Sequence, residues 1–198
     1  MAERFAERLT EDIVPYLPHL RAFARMLAQD RALADDLVQE TVLRALSHAH
    51  QFQPGTNLKA WLTTILRNAY FTEKRSQGRI AQIDVEAVRD SSAVSGGQEW
   101  HLRMRDFEGA FNTLSPVQRE ALVLVGASGF SYEQAAAMAG CAVGTMKSRV
   151  SRARLQLQTL LDGADGARAR GLGWNRALHL RDWEHLTAGR DSRSLSAS

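Results

Sequence analysis

With 198 residues, 44% of them hydrophobic and 24% charged, the chain has room for one ordinary domain or two small ones and not for a single large enzyme fold. Four prolines and this apolar content exclude wholesale disorder, and a net charge of +3, from 22 Arg and 3 Lys against 22 acids, points by itself to no class of partner. The lone Cys141 excludes an intramolecular disulfide and a Cys-based zinc site, which suits a reducing, cytoplasmic compartment.

Glu3, Arg4, Glu7, Arg8, Glu11 and Asp12 interrupt any apolar run that could serve as a signal sequence. No other stretch approaches the roughly 18 apolar residues of a membrane span, so no membrane segment is expected. Apolar residues recur at helical spacing up to about position 162 without sustained period-two alternation, which predicts an all-α chain. The first helical stretch, 13–28, places Leu17, Leu20, Phe23, Ala24 and Leu27 on one face, with Pro15 and Pro18 confining its regular part to the later residues. The second starts at Asp35 or Asp36 as cap and aligns Leu37, Val38, Thr41, Val42, Ala45 and Leu46. The third follows Pro54-Gly55 and turns Leu58, Trp61, Leu62, Ile65, Leu66 and Ala69 inward. Three such stripes predict a compact helical bundle.

Residues 77–104 lose this periodicity and are rich in Gly and Ser; over 81–104 the acids Asp84, Glu86, Asp90 and Glu99 outnumber Arg89 and Arg103. They are expected to form a flexible linker between a first domain, 1–76, and a second, 105–162. In the second domain Ser115-Pro116-Val117-Gln118 is a helix start with a capping box, and that helix should end near 126–129. Residues 163–198 hold several glycines and a Ser-rich end; a mobile tail of unassigned role is expected, with one short helix around 174–186.

From Ser131 to Arg154 the chain reads SYEQAAAMAGCAVGTMKSRVSRAR. Ser131 and Gln134 form a second capping box, Gly140 ends a short Ala-rich helix, and another helix starts near Gly144-Thr145, a helix-turn-helix pattern. Met146, Val150, Ala153 and Leu157 make one buried stripe on the second helix. Lys147, Ser148, Ser151 and Arg152 lie on an outward face flanked by Arg149 and Arg154. A solvated amphipathic helix usually mixes charge signs, since opposite charges four apart stabilise it modestly. Here no acid occurs between Glu133 and Asp162, while four cations fall within the eight residues 147–154. Unbalanced cations beside hydroxyl residues suit phosphates and base edges.

Four blocks in order, DDLVQETVLRAL at 35–46, FQPGTNLKAWLTTILRNAY at 52–70, LSPVQREALVLVGASGFSYEQAA at 114–136 and GCAVGTMKSRVSRARLQL at 140–157, resemble an extracytoplasmic-function (group IV) RNA polymerase sigma factor. GASGFSYEQAA, GCAVGTMKSRVSRAR and the upstream FQPGTNLKAW are most similar to the alphaproteobacterial general-stress-response branch. The resemblance implies a region 2-like domain that binds core RNA polymerase and the minus-ten element, a linker threading toward the active-site channel, and a region 4-like domain that binds the minus-thirty-five element. It further implies partnership with promoter DNA and a small anti-sigma protein, released by a response regulator with a sigma-like domain. No cofactor and no catalytic residue are implied.

By position, the resemblance assigns core-polymerase binding to Asp36, Gln39, Glu40, Leu43 and Arg44. It places Phe52 and Asn68 beside the pocket for a flipped minus-ten base. Melting DNA needs an apolar wall to replace lost stacking and polar groups to read the exposed edge, which Phe52 and Asn68 supply. Asn57, Lys59, Thr63, Thr64 and Arg67 are neighbouring candidates, and Phe71, Lys74 and Arg75 reach toward upstream phosphates. Trp61 is expected in the core, on the Leu58, Leu62, Ile65 stripe. In the second domain Thr145 is placed for a phosphate, with Lys147, Ser148, Ser151 and Arg152 as base readers and Arg149 and Arg154 alongside; Ser151 stands where some relatives carry a bulky side chain. Cys141 is expected to pack in the turn as a small hydrophobe.

Two other classes compete. A helix-turn-helix repressor needs no Phe52 and Asn68 pocket, and a sigma mimic that titrates an anti-sigma protein needs no cationic recognition helix. An enzyme finds little support, because His48 and His50 do not share a helix face, His19, His101, His179 and His185 are scattered, and no nucleotide-binding glycine pattern occurs.

Overall fold

The computed structural model describes residues 2–80 and 106–164, all of whose regular elements are helical, in two compact units divided at 91/92. The expected linker and tail lie outside these residues, apart from their first few positions.

The first unit contains α1 (Ala2–Ile13), a 3₁₀ turn (Val14–Tyr16), α2 (Leu17–Ala28), α3 (Arg31–Ser47), a second 3₁₀ turn (Ala49–Gln51) and α4 (Leu58–Ile80). The expectation of three helices omitted α1, although Phe5, Leu9 and Ile13 recur every four residues in its sequence; the charges between them argue only against a signal sequence, and Leu9 and Ile13 anchor the helix at 2% exposure each. Pro15 and Pro18 fall within the 3₁₀ turn and the first turn of α2, where a missing N–H costs no helical bond. Helix α2 stops at Gln29, whose left-handed φ of 60° closes the helix.

The start expected for the second stretch was displaced. Asp30, not Asp35 or Asp36, caps α3, accepting the Leu33 N–H at 2.7 Å through Oδ1. Asp35 lies one turn inside, within 4.0 Å of Arg31. Leu20, Phe23, Leu27, Leu37, Leu62, Leu66 and Tyr70 then close the core between α2, α3 and α4. The buried Thr41 satisfies its hydroxyl by donating to the Leu37 carbonyl at 2.6 Å.

In the second unit a helix over 106–112, α5, leads to α6 (Pro116–Leu122), a π-helical turn (Val123–Ala127), α7 (Tyr132–Ala139) and α8 (Val143–Ala164). Both capping boxes form as the sequence predicts, at Ser115 with Gln118 and at Ser131 with Gln134. Gly140 ends α7 at φ 62°, a conformation that glycine reaches without a Cβ clash. The π turn is held by the Ser128 N–H on the Val123 carbonyl at 2.7 Å, and both Leu124 and Ala127 remain buried. Met146, Val150, Ala153 and Leu157 are each at most 1% exposed, so the expected inward stripe of α8 is the one that packs. That packing fixes which side of α8 faces out.

Candidate nucleic-acid interface

Helix α4 begins where Asn57 accepts the Ala60 N–H at 3.0 Å through Oδ1, so this candidate DNA residue also caps the helix. Along α4 the positions 61, 64, 68, 71 and 75 alternate steps of three and four and therefore share one side. Trp61, Thr64 and Phe71 on this stripe are half-buried, while Asn68 and Arg75 are exposed. Phe52, just before the loop that leads into α4, is half-buried and packs against Trp61 with ring centroids 5.2 Å apart and planes tilted 40°.

Trp61 is thus not sealed in the core as its stripe suggested. Periodicity had placed it with Leu58 and Leu62, but the Phe52 ring that half-covers it comes from outside α4. An aromatic corner results, with Asn68 farther along the same stripe. Arg67 Nη1 donates to Asn68 Oδ1 at 3.1 Å, orienting the amide, and its guanidinium lies 4.8 Å from the Phe71 ring centroid. Arg75 Nε donates to the Phe71 carbonyl at 3.1 Å, and Lys74 is exposed beside it.

Thr63 is corrected. It is fully buried, because its stripe is the one running through Leu66 and Tyr70, and its hydroxyl donates to the Lys59 carbonyl at 2.7 Å. Its Oγ1 also lies 3.3 Å from His19 Nε2. It supports α4 from behind rather than meeting DNA. Lys59, one turn earlier, is half-buried, and desolvation lowers its pKa from the ordinary lysine value. Burial, followed by the charge of Lys59, pushes His19 down from 6.5 to about 3, so this histidine is neutral in the folded protein. The Thr64 hydroxyl donates to the Ala60 carbonyl at 2.8 Å, so its oxygen keeps only an acceptor role for any further partner.

On α3 the candidates Asp36, Gln39, Leu43 and Arg44 are exposed and Glu40 is half-buried. Glu40 and Arg44 pair at 2.6 Å, and Leu43, 66% exposed, stands beside them with no cover from its own unit.

On α8 Thr145, Lys147, Ser151 and Arg152 are exposed and Ser148 half-buried, all on the side opposite Met146 and Val150. Lys147 Nζ lies 5.8 Å from the Tyr132 ring centroid at the start of α7. The neighbouring Glu133 carboxylate is held below its usual pKa by its own backbone N–H, then by Ser131, with a smaller contribution from Lys147. Tyr132 was not among the sequence candidates; helical spacing within one element cannot reveal a contact between two. Arg149 and Arg154 are half-buried flanking residues. Arg149 Nη1 reaches back to Cys141 Sγ at 3.8 Å, which ties the recognition helix to the turn and gives Cys141 a polar partner as well as a packing role.

Residues 13–80 match the family model of Sigma-70 region 2 and residues 104–157 that of Sigma-70, region 4. The chain belongs to the extracytoplasmic-function sigma factors of RNA polymerase. It is 51% identical over 161 residues to the ECF RNA polymerase sigma factor EcfG of Rhodopseudomonas palustris, covering 80% of this chain and 89% of that protein. Against the RNA polymerase sigma factor CarQ of Myxococcus xanthus it is 32% identical over 168 residues, covering 80% and 94%. The solved structure of the sigma factor RpoE with the anti-sigma factor NepR from Bartonella quintana matches with a TM-score of 0.68 and 47% identity, over 79% of this chain and 98% of that one.

As a sigma factor the protein directs transcription initiation, a non-covalent task. The sigma factor falls in the general-stress-response branch to which its sequence is most similar. Among the described residues no helix is long and apolar enough to cross a membrane, and no group of three metal-ligating side chains occurs.

Proposed function

We propose that this sigma factor works in the cytoplasm through three faces, carried by domains at 1–76 and 105–162. The α3 face, with Leu43 amid Asp36, Gln39, Glu40 and Arg44, docks on core RNA polymerase. The aromatic corner of Phe52 and Trp61 accepts an unstacked minus-ten base while Asn68 reads its edge; Asn57, Thr64, Arg67, Phe71, Lys74 and Arg75 contact the surrounding strand, and Lys59 adds charge from the flank. The α8 face reads the minus-thirty-five element through Lys147, Ser148, Ser151 and Arg152, with Thr145 on a phosphate and Arg149 and Arg154 beside it. A small anti-sigma protein of the NepR kind sequesters the factor, and a phosphorylated response regulator with a sigma-like domain releases it.

The observation that supports this reading best is the acid-free α8 face in a chain that also holds the Phe52–Trp61 corner. A repressor lacks use for the corner, and a mimic lacks use for the face. For the anti-sigma partnership the support is the 47% identity to an RpoE solved with NepR. Run-off transcription with core polymerase on general-stress promoters tests the proposal. The expected result is a transcript that depends on this protein and disappears when an anti-sigma protein is added. Tight anti-sigma binding without any transcript would make the protein a mimic.

A further inference from the structure

On the second unit an open groove runs between the start of α6 and the outer side of α8, lined by Gln118, Arg152, Leu155, Gln156 and Leu160 among others. Leu155 is 65% and Leu160 41% exposed, a large apolar area to leave in water. Between them the polar lining is ordered: Gln118 Nε2 donates to Gln156 Oε1 at 3.3 Å, and Gln156 Nε2 donates to Thr113 Oγ1 at 3.4 Å. The one charged side chain of the lining is Arg152. The groove therefore suits an apolar or aromatic side chain flanked by acids.

The chain itself supplies such a group. Helix α8 ends at Ala164, four residues past Leu160, and residues 165–198 follow. They include the run Asp182-Trp183-Glu184, an aromatic side chain between two carboxylates. The solved RpoE is matched over 98% of its length by 79% of this chain, so about a fifth of this chain has no counterpart in that match. A coil of the 19 residues from Ala164 to Trp183 spans about 24 Å. The twelve-residue distance from Ala164 back to Arg152 is about 18 Å along the helix. Reach and distance are of the same order, which puts the tethered segment at a local concentration in the millimolar range.

We propose that the segment around Trp183 occupies this groove on its own chain, with Trp183 against Leu155 and Leu160 and with Asp182 and Glu184 beside Arg152. Because Arg152 also belongs to the α8 face, an occupied groove competes with minus-thirty-five DNA; that consequence, unlike the docking itself, rests on the function proposed above. If the groove is filled nine-tenths of the time, apparent DNA affinity is lowered about tenfold.

The test uses the full-length chain with methyl-labelled leucines, compared with Trp183→Ala and with the double variant Asp182→Asn, Glu184→Gln. Leu155→Met and Leu160→Met assign the two resonances. The Leu155 and Leu160 methyls should be shifted upfield by the indole ring in the full chain, return toward ordinary positions in Trp183→Ala, and move part-way in the double variant. Identical methyl positions in the full chain and Trp183→Ala would overturn the docking. So would shifts that appear only when an anti-sigma protein is added, which would give the groove to that partner. Binding of a minus-thirty-five duplex should tighten up to about tenfold in Trp183→Ala. Methyl shifts that revert without any change in duplex affinity would leave the docking standing and overturn its competition with DNA.

Discussion

Replacing Phe52 by Ala separates the two roles of the aromatic corner. The ring sits 5.2 Å from Trp61 at a 40° tilt, and such a pair contributes about 0.5–1.5 kcal/mol beyond its buried area. Phe52 is only half-buried, so the cavity cost falls below the roughly 3–5 kcal/mol of a fully buried Phe→Ala change. The first unit should therefore lose about 1–2 kcal/mol and remain folded. Opening is a different quantity. Stacking of one base on an aromatic face is worth about 1–3 kcal/mol, so the balance between closed and open promoter should shift by roughly 5- to 150-fold toward closed. The assay is permanganate reactivity of unpaired thymines in the complex of core polymerase, this protein and promoter, run beside duplex binding and a urea melt of the protein. Phe52→Leu keeps much of the bulk and removes the stacking face; it should recover stability but not opening. Normal thymine reactivity in both variants would refute the assignment of a stacked base to this corner.

Arg152→Ala should weaken binding of a minus-thirty-five duplex by about 1–3 kcal/mol while polymerase binding is unchanged, read by fluorescence anisotropy; unaltered duplex affinity removes Arg152 from the readers. Met146→Ala empties a fully buried site under the recognition helix and should cost about 2–5 kcal/mol in urea unfolding of the second unit. Asp30→Ala removes the α3 cap and should cost about 1 kcal/mol, seen as a drop of a few degrees in the melting temperature of the first unit. His19 titrates near 6.5 unfolded and near 3 folded. Between those values the unfolded chain binds a proton that the native state excludes, so stability falls as the pH drops, by up to about 1.4 kcal/mol per pH unit. His19→Gln should flatten that part of a stability-versus-pH curve, and an unchanged slope would assign it to other groups.

The second unit was almost entirely legible in sequence. Ser115 with Gln118, Ser131 with Gln134, Gly140, and the stripe from Met146 to Leu157 are local signals, and each occurs where it was read. What local signals miss is competition between neighbouring candidates and contact between elements. Asp30, Asp35 and Asp36 are all chemically able to cap, and the choice of Asp30 depends on where α2 ends, at the left-handed Gln29. Thr63 and Thr64 look alike in sequence, yet a 100° step puts one in the core and the other toward solvent. Trp61 and Tyr132 joined the candidate surfaces only through Phe52 and Lys147, which belong to other segments.

The pairing rule for charges four apart on a helix is followed on α3 and avoided on α8, and that contrast bears on what each meets. On α3 Arg31 lies 4.0 Å from Asp35 and Arg44 lies 2.6 Å from Glu40. These exposed pairs add only a few tenths of a kcal/mol, but they leave the face nearly neutral around Leu43. A neutral rim about an apolar centre suits a protein surface, where unpaired charge would have to be desolvated. Helix α8 forgoes those same tenths, since no acid lies between Glu133 and Asp162 to pair with its cations. Intramolecular pairing would have to be broken before a phosphate could take its place. With no nearby acid on the helix itself to hold these cations, most of the release of DNA counterions is kept as net binding free energy, so association through α8 should depend on salt more steeply than association through α3.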